Sequence, residues 1–258
     1  MPDNQGYLDT AEANLFRPMK ESATQGLSQG SGSELSGTKN GRAKIHAAHS
    51  SSALALNVFD YFTDHDRAVL SKALGITTGI SSLAFEGQYP TGLGGTPPHL
   101  DVVLKLDDGS TIAIESKFTE WMDATAGRSE FSESYFPEGK SLWTLRALPQ
   151  SQRLANLIQS GEERFVHLDA NQLLKHALGL ANQLGQNFEL HYLYFDAPGI
   201  ESEKHSAEVD RFKSYVGDEL RFKAISYQQL FQSLSTDSKL DKQYLDYLSR
   251  RYFPVQTS

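Results

Sequence analysis

The 258-residue chain contains no cysteine. That absence excludes a disulfide scaffold, a cysteine nucleophile, a Cys-ligated iron–sulfur centre and the usual structural zinc sites. Positive charge is also in deficit, with 24 Lys and Arg against 32 Asp and Glu and a formal net charge of −8. Such a balance argues against a protein that coats nucleic acid by charge alone, but not against an enzyme that acts on it. No stretch approaches 18 consecutive apolar residues, so no membrane span is expected. The opening MPDNQGYLDTAEANLF has no basic segment leading into an apolar run, and the expected location is the cytoplasm rather than a secretory route. A phosphate-cradling loop is missing too, because the glycine-rich GQYPTGLGGTPP at 87–98 lacks the Gly-Lys-Ser/Thr ending.

What is present is enough for a substantial core, since 39% of the chain is hydrophobic. Residues 21–41 contain ten Gly or Ser in twenty-one positions, so 1–41 is expected to be a flexible or loosely docked arm, with Leu15, Phe16 and Met19 as its anchors. A single domain is expected over 42–258. Ser50, Ser51 or Ser52 caps a helix in which Leu54, Val58, Phe59 and Phe62 recur at helical spacing. A second helical piece at 65–75 ends at Gly75. A short strand is expected at 81–85, followed by Glu86 and the glycine-rich loop. HLDVVLKL (99–106) and TIAIESKF (111–118) are two alternating strands joined by Asp107-Asp108-Gly109. Leu100, Val102, Leu104 and Leu106 are expected on the core face of the first strand. An apolar helix follows at 168–184, then a buried strand at 188–195. Residues 196–219, with seven acids against three bases, are expected to be loop and exposed helix. A short strand at 221–225 and helices at about 226–235 and 237–251 close the chain. This order describes a mixed α/β domain with one central sheet.

The register of the two central strands decides the chemistry. A two-residue turn at Asp108-Gly109 would set Asp101 and Glu115 on opposite faces. A three-residue loop, with Gly109 in the left-handed position, pairs Leu106 with Ser110 and sets Asp101 opposite Glu115. The apolar pattern favours the second, because it aligns Val102 with Ile114 and Leu104 with Ile112. Two carboxylates facing each other at about 5 Å between Cβ atoms repel. A hard divalent cation offsets that repulsion, and Mg²⁺ takes one or two carboxylates while keeping several waters. Lys117 shares the face of Glu115, where its ammonium orients or helps deprotonate a water and neutralises charge on a phosphate. Paired acids, a lysine and a metal suit in-line attack of water on a phosphodiester.

The segments Pro98-His99-Leu100-Asp101 and Ile114-Glu115-Ser116-Lys117 resemble the motif of the PD-(D/E)xK nuclease superfamily, which includes many restriction endonucleases. HSSSALALNVF, FEGQYP and ESKFTE resemble, more narrowly, its restriction-endonuclease-like branch in bacterial proteins, over about residues 44–235. The resemblance implies a central mixed β-sheet flanked by helices. It also implies a nuclease in which Asp101 and Glu115 hold Mg²⁺ (or Mn²⁺), the Ser116 carbonyl adds a metal ligand, and Lys117 assists the attacking water. DNA is the implied substrate, and cutting two strands makes a homodimer a natural assembly. The sequence departs from the pattern twice: Asp101 stands three residues after Pro98 rather than next to it, and Ser116 replaces the usual apolar residue.

Supporting residues are read alongside this set. Glu86 is either a further carboxylate of the site or a solvated loop acid. The resemblance implies that the 168–184 helix lends a Gln or Lys, which points to Gln172, with Lys175 and His176 one turn further on; His176 reads more readily as a structural histidine. Glu120 is a helper or a loop charge. His46 and His49 are three apart without further ligands nearby. Lys39, Arg42, Lys44, Lys140, Arg146, Arg153, Arg250 and Arg251 are the candidate phosphate contacts. Two other functions are compatible with the motif: a catalytically silent binding or assembly module of the same fold, and a metal-dependent hydrolase of a small phosphorylated substrate.

Overall fold

The computed structural model describes residues 2–29, 34–37, 42–122 and 130–254. Thirteen main elements follow one another: α1 (Glu21–Gln29), α2 (Ser51–Phe59), α3 (Ala68–Leu74), β1 (Ile80–Gln88), β2 (His99–Leu106), β3 (Thr111–Lys117), α4 (Pro149–Ser160), α5 (Ala170–Leu184), β4 (Phe188–Tyr194), α6 (Ile200–Val216), β5 (Lys223–Ser226), α7 (Tyr227–Ser235) and α8 (Lys242–Tyr252). The five strands form one sheet in sequential order. The β1–β2 and β2–β3 pairs are antiparallel, whereas β3–β4 and β4–β5 are parallel. Parallel neighbours need long crossovers, and helices α4 to α6 supply them.

Each face of the sheet buries its own core. Val102, Leu104, Ile112 and Ile114 point into the first, together with residues of α1, α2, α3, α7 and α8. Val103, Ala113, Leu190 and Tyr192 point into the second, with α4, α5 and α6. The helices begin where their caps place them. Ser50 accepts from the Ala53 N–H at 3.1 Å at the start of α2, Gly75 ends α3 at φ +66, and the Asp169 carboxylate caps α5 through the Gln172 N–H.

Four features depart from the sequence-based expectations. Residues 21–29 form α1 rather than loose chain: Ala23 and Leu27, one turn apart, are buried in the first core, and the helix packs against β1. Leu15 joins the same core, and Phe16 and Met19 pack against it, so they do anchor the N-terminal segment. The rest of the predicted arm at 30–33 and 38–41 lies outside the described residues, as does Lys39. Secondly, β1 runs to Gln88, so Glu86 belongs to a strand and not to the loop. Thirdly, Leu100 is buried in the second core instead of beside Val102. Glu86, which the register sets opposite Asp101, adopts φ +53, and that residue interrupts the pleat where Leu100 changes sides. Helix α4 has no counterpart in the sequence reading; its buried face is only Leu154 and Ala155 with Ser151 and Gln152, too polar a stripe to register as helical periodicity.

Helix α5 lies very close to the loop after β1. A Cβ added at Gly179 would stand 2.1 Å from the Tyr89 carbonyl oxygen. In an exposed helix a Gly→Ala change gains up to about 1 kcal/mol. At this position the sign is expected to reverse, with Gly179→Ala losing about 1–3 kcal/mol through overpacking. Urea denaturation measures it, and a variant as stable as the parent would disprove the tight contact.

Candidate active site at the splayed end of the β2–β3 hairpin

The hairpin has the three-residue turn. Gly109 takes φ +83, its N–H donates to the Leu106 carbonyl at 3.0 Å, and the Leu106 N–H donates to the Ser110 carbonyl at 2.9 Å. Val102 pairs with Ile114 and Leu104 with Ile112. Continuing this register places Asp101 opposite Glu115. The same count across β1, between the pairs Phe85↔Val102 and Gly87↔Leu100, places Glu86 opposite Asp101. Three adjacent strands thus contribute one row of carboxylates: Glu86, Asp101 and Glu115.

Around Asp101 the backbone pairing of β2 with β3 gives way to a side-chain bond. Oδ2 of Asp101 accepts from the Ser116 N–H at 2.7 Å. Glu115 is 2% exposed and is gripped at both oxygens. Lys117 Nζ lies 2.7 Å from Oε1, and His176 Nε2, from α5, lies 2.9 Å from Oε2. The histidine contact is close but not aligned as a hydrogen bond, and neither ring nitrogen of this buried side chain has a hydrogen-bond partner. His99 Nδ1 stands 3.4 Å from Glu86 Oε2, again without hydrogen-bond alignment.

The crowding is visible in the ionisation of the acids. Burial, then the neighbouring Glu115 and Glu86, push the Asp101 carboxyl well above the ordinary range. Burial, then Glu34 and Glu115, push Glu86 up to about 7. Glu115 goes the other way: burial raises it, but the charges of Lys117 and His176 overcome that and hold it low. Burial works against the Lys117 charge, yet Glu115, Glu120 and Asp101 together raise its pKa, so it stays an ammonium.

Ser116, the polar residue on the core side of β3, is satisfied: its hydroxyl and that of Tyr227 at the start of α7 lie 2.6 Å apart. Gln172 sits one turn before His176 on α5, half-buried, and among the described residues no hydrogen bond or ion pair joins its side chain to the acids. Lys175 turns elsewhere, donating to the Glu130 carbonyl and lying 5.6 Å from the Phe131 and Tyr135 ring centres. Glu120 folds back to accept from the Phe118 N–H at 2.7 Å. His49 meets the Tyr7 ring edge-on.

Among the candidate phosphate contacts, Lys44 is close to the site, 3.5 Å from Glu34 and exposed. Arg42 pairs with Asp3. Arg146 bonds Asn182 and the Leu142 and Thr91 carbonyls, and Arg251 bonds Asn14 and the Ala48 carbonyl, so both guanidinium groups tie the fold together. Arg250 donates to the Asp246 carbonyl on its own helix, while Lys140 and Arg153 are exposed.

Glu34 gives no signal in the sequence, and His176, a helix residue that reads more readily as structural, belongs to the site. Glu34 reaches the site region from the Gly/Ser-rich N-terminal segment, accepting from the Ser52 hydroxyl at 2.8 Å. Only the position of α5 over β3 brings His176 to Glu115.

The donor chemistry fits a hard cation. Oxygen donors predominate, and burial together with the neighbouring Glu115 and Glu86 suppresses the ionisation of Asp101. Among the described residues no three His, Asp or Glu side chains already converge as a metal-binding group. Lys117 and His176 each contact one oxygen of Glu115.

The family described as "Restriction Endonuclease associating with ARP" matches residues 4–253. Comparison with curated proteins gives no match, and comparison with solved structures gives none. No helix among the described residues is long and apolar enough to cross a membrane.

Glu86 generates a pH prediction for the metal-free protein. Folded, it keeps its proton up to about 7; unfolded, it loses it near the ordinary 4.5. Between these values the folded chain binds more protons, so the Glu86 contribution to stability falls as pH rises. In EDTA, Glu86→Gln is expected to flatten the decline in unfolding free energy between about pH 4.5 and about pH 7. An unchanged slope would show that Glu86 is ordinarily ionised.

Proposed function

The chain belongs to the family described as "Restriction Endonuclease associating with ARP", and on that footing we propose that it is a Mg²⁺-dependent nuclease that hydrolyses DNA phosphodiester bonds. Membership brings with it the restriction-endonuclease-like class of fold, in agreement with the mixed five-stranded sheet between helical layers. The observation that carries the finer reading is the hairpin register, which sets Asp101 against Glu115 with Lys117 two residues further along the same face.

In this reading Asp101, Glu115 and the Ser116 carbonyl hold the metal, with Mn²⁺ able to substitute. Held there, a divalent ion would supply Lewis-acid stabilisation of the phosphoryl oxygen and would lower the pKa of the attacking water. Lys117 acts as a cation: its ammonium is kept protonated by the surrounding acids, so it donates to and neutralises the phosphate rather than serving as a base. Asp101 fixes the geometry of β3 by accepting the Ser116 N–H, which keeps the Glu115 and Lys117 side chains aligned. Glu86 extends the carboxylate row, and Gln172 is available from α5 to position the substrate. Lys44 is an exposed cation beside Glu34 that can meet the DNA backbone. Cutting both strands of a duplex calls for two such sites, hence a homodimer.

Purified protein incubated with plasmid and with linear DNA, with and without Mg²⁺, tests the proposal. Asp101→Ala and Lys117→Ala are expected to lower cleavage by about 100-fold or more, with circular dichroism and thermal unfolding showing an intact fold. Full activity in Lys117→Ala would sink the mechanism. Binding of DNA without Mg²⁺-dependent cleavage in the unmodified chain would assign it to a silent module.

A further inference from the structure

The two contacts on Glu115 are not equivalent. Lys117 projects from the same strand, carries a fixed positive charge and reaches Oε1 on a flexible four-carbon stem, 18% exposed. His176 comes from a different element, is 2% exposed, and is held in place by the packing of α5 between Leu173, Leu174, Ala177 and Leu178, all buried. Lys117 has a flexible, partly exposed stem on which to shift, whereas His176 is enclosed where α5 packs on the sheet.

We propose that Lys117 is a resident cation that a divalent metal displaces from Oε1 of Glu115, while His176 is the positioning residue that keeps hold of Oε2 during the exchange. This rests on the metal-dependent reading above. The exchange leaves the carboxylate unrotated, because the imidazole fixes one oxygen, and it delivers the released ammonium next to the metal, where the phosphate would lie. Without His176 the carboxylate would turn to follow Lys117 and meet the metal in many orientations. Without Lys117 the metal would meet an uncontested oxygen.

Two opposite effects on metal affinity follow, and isothermal titration with Mn²⁺ or Mg²⁺ alone measures both without DNA. Lys117→Met, which keeps the stem and removes the charge, is expected to bind metal about tenfold more tightly, since a competing unit charge is gone. His176→Leu, which fills the space but offers no nitrogen, is expected to bind about 10–100-fold more weakly. His176→Gln places an amide N–H near the position of Nε2 and is expected to recover most of that loss. Thermal unfolding of the metal-free variants separates folding from binding.

Weaker or unchanged metal binding in Lys117→Met would overturn the displacement. An equal loss in His176→Gln and His176→Leu, with both variants folded, would overturn the positioning role. If the unmodified chain bound no divalent metal, the metal-dependent reading itself would fail. If it bound metal and cut DNA while the variants departed from this order of affinities, only the present inference would fail.

Discussion

Gly109 takes φ +83, and through that one residue the turn between β2 and β3 holds three residues rather than two. A side chain at this position would be strained in the left-handed region, and a shorter turn would slip the strands by one. A slip of one residue reverses every side chain of β3, which would carry Glu115 and Lys117 into the first core and turn Ile112 and Ile114 towards the second. The hydrophobic effect opposes that exchange on both faces together. The register is therefore held by burial of Val102, Leu104, Ile112 and Ile114, and the acids are placed as a consequence of packing that has nothing to do with chemistry.

What packing puts together, electrostatics resists. Glu86, Asp101 and Glu115 crowd one row of the sheet, and the effect is an Asp101 carboxyl held well above its ordinary pKa and a Glu86 poised at about 7. Lys117 and His176 relieve Glu115, and Lys117 also draws the Asp101 carboxyl down without overcoming its burial. The molecule thus carries a destabilising excess of acid in its interior, compensated by the two cores around it. Such local conflict with otherwise consistent packing is where function is usually found.

The parts of this arrangement that depend on neighbours in sequence were legible before any coordinates. Alternation in 99–106 and 111–117 and the Asp107-Asp108-Gly109 turn were sufficient to pair Asp101 with Glu115 and to put Lys117 beside it. The parts that depend on distant chain were not. His176 reaches Glu115 because α5 crosses the second face of the sheet, and no periodicity encodes that encounter. Glu34 lies in a stretch whose composition reads as loose, yet its carboxylate is fixed by Ser52 and its backbone carbonyl by the Ile45 N–H. Arg146 and Arg251 looked like free charges because a sequence does not display the carbonyls that claim them. Helix α1 gives little signal for a related reason: Ala23 and Leu27 are its buried apolar residues, and Gly26 lets it approach the Phe85 backbone of β1.

The hydroxyl contact between Ser116 and Tyr227 spans 111 residues of chain, and two more late tyrosines close the same face: Tyr244 donates to the Val58 carbonyl, and Tyr252 lies 2.7 Å from Asn57 Nδ2. A chain made from its N-terminus onward holds the acids and the lysine well before these residues exist. While it is still on the ribosome, the floor beneath β3 is open and the Ser116 hydroxyl has no partner. The order of synthesis therefore makes the hairpin before the tyrosines that cover its first face, so that a product stalled before Tyr227 would leave the Ser116 hydroxyl without its partner.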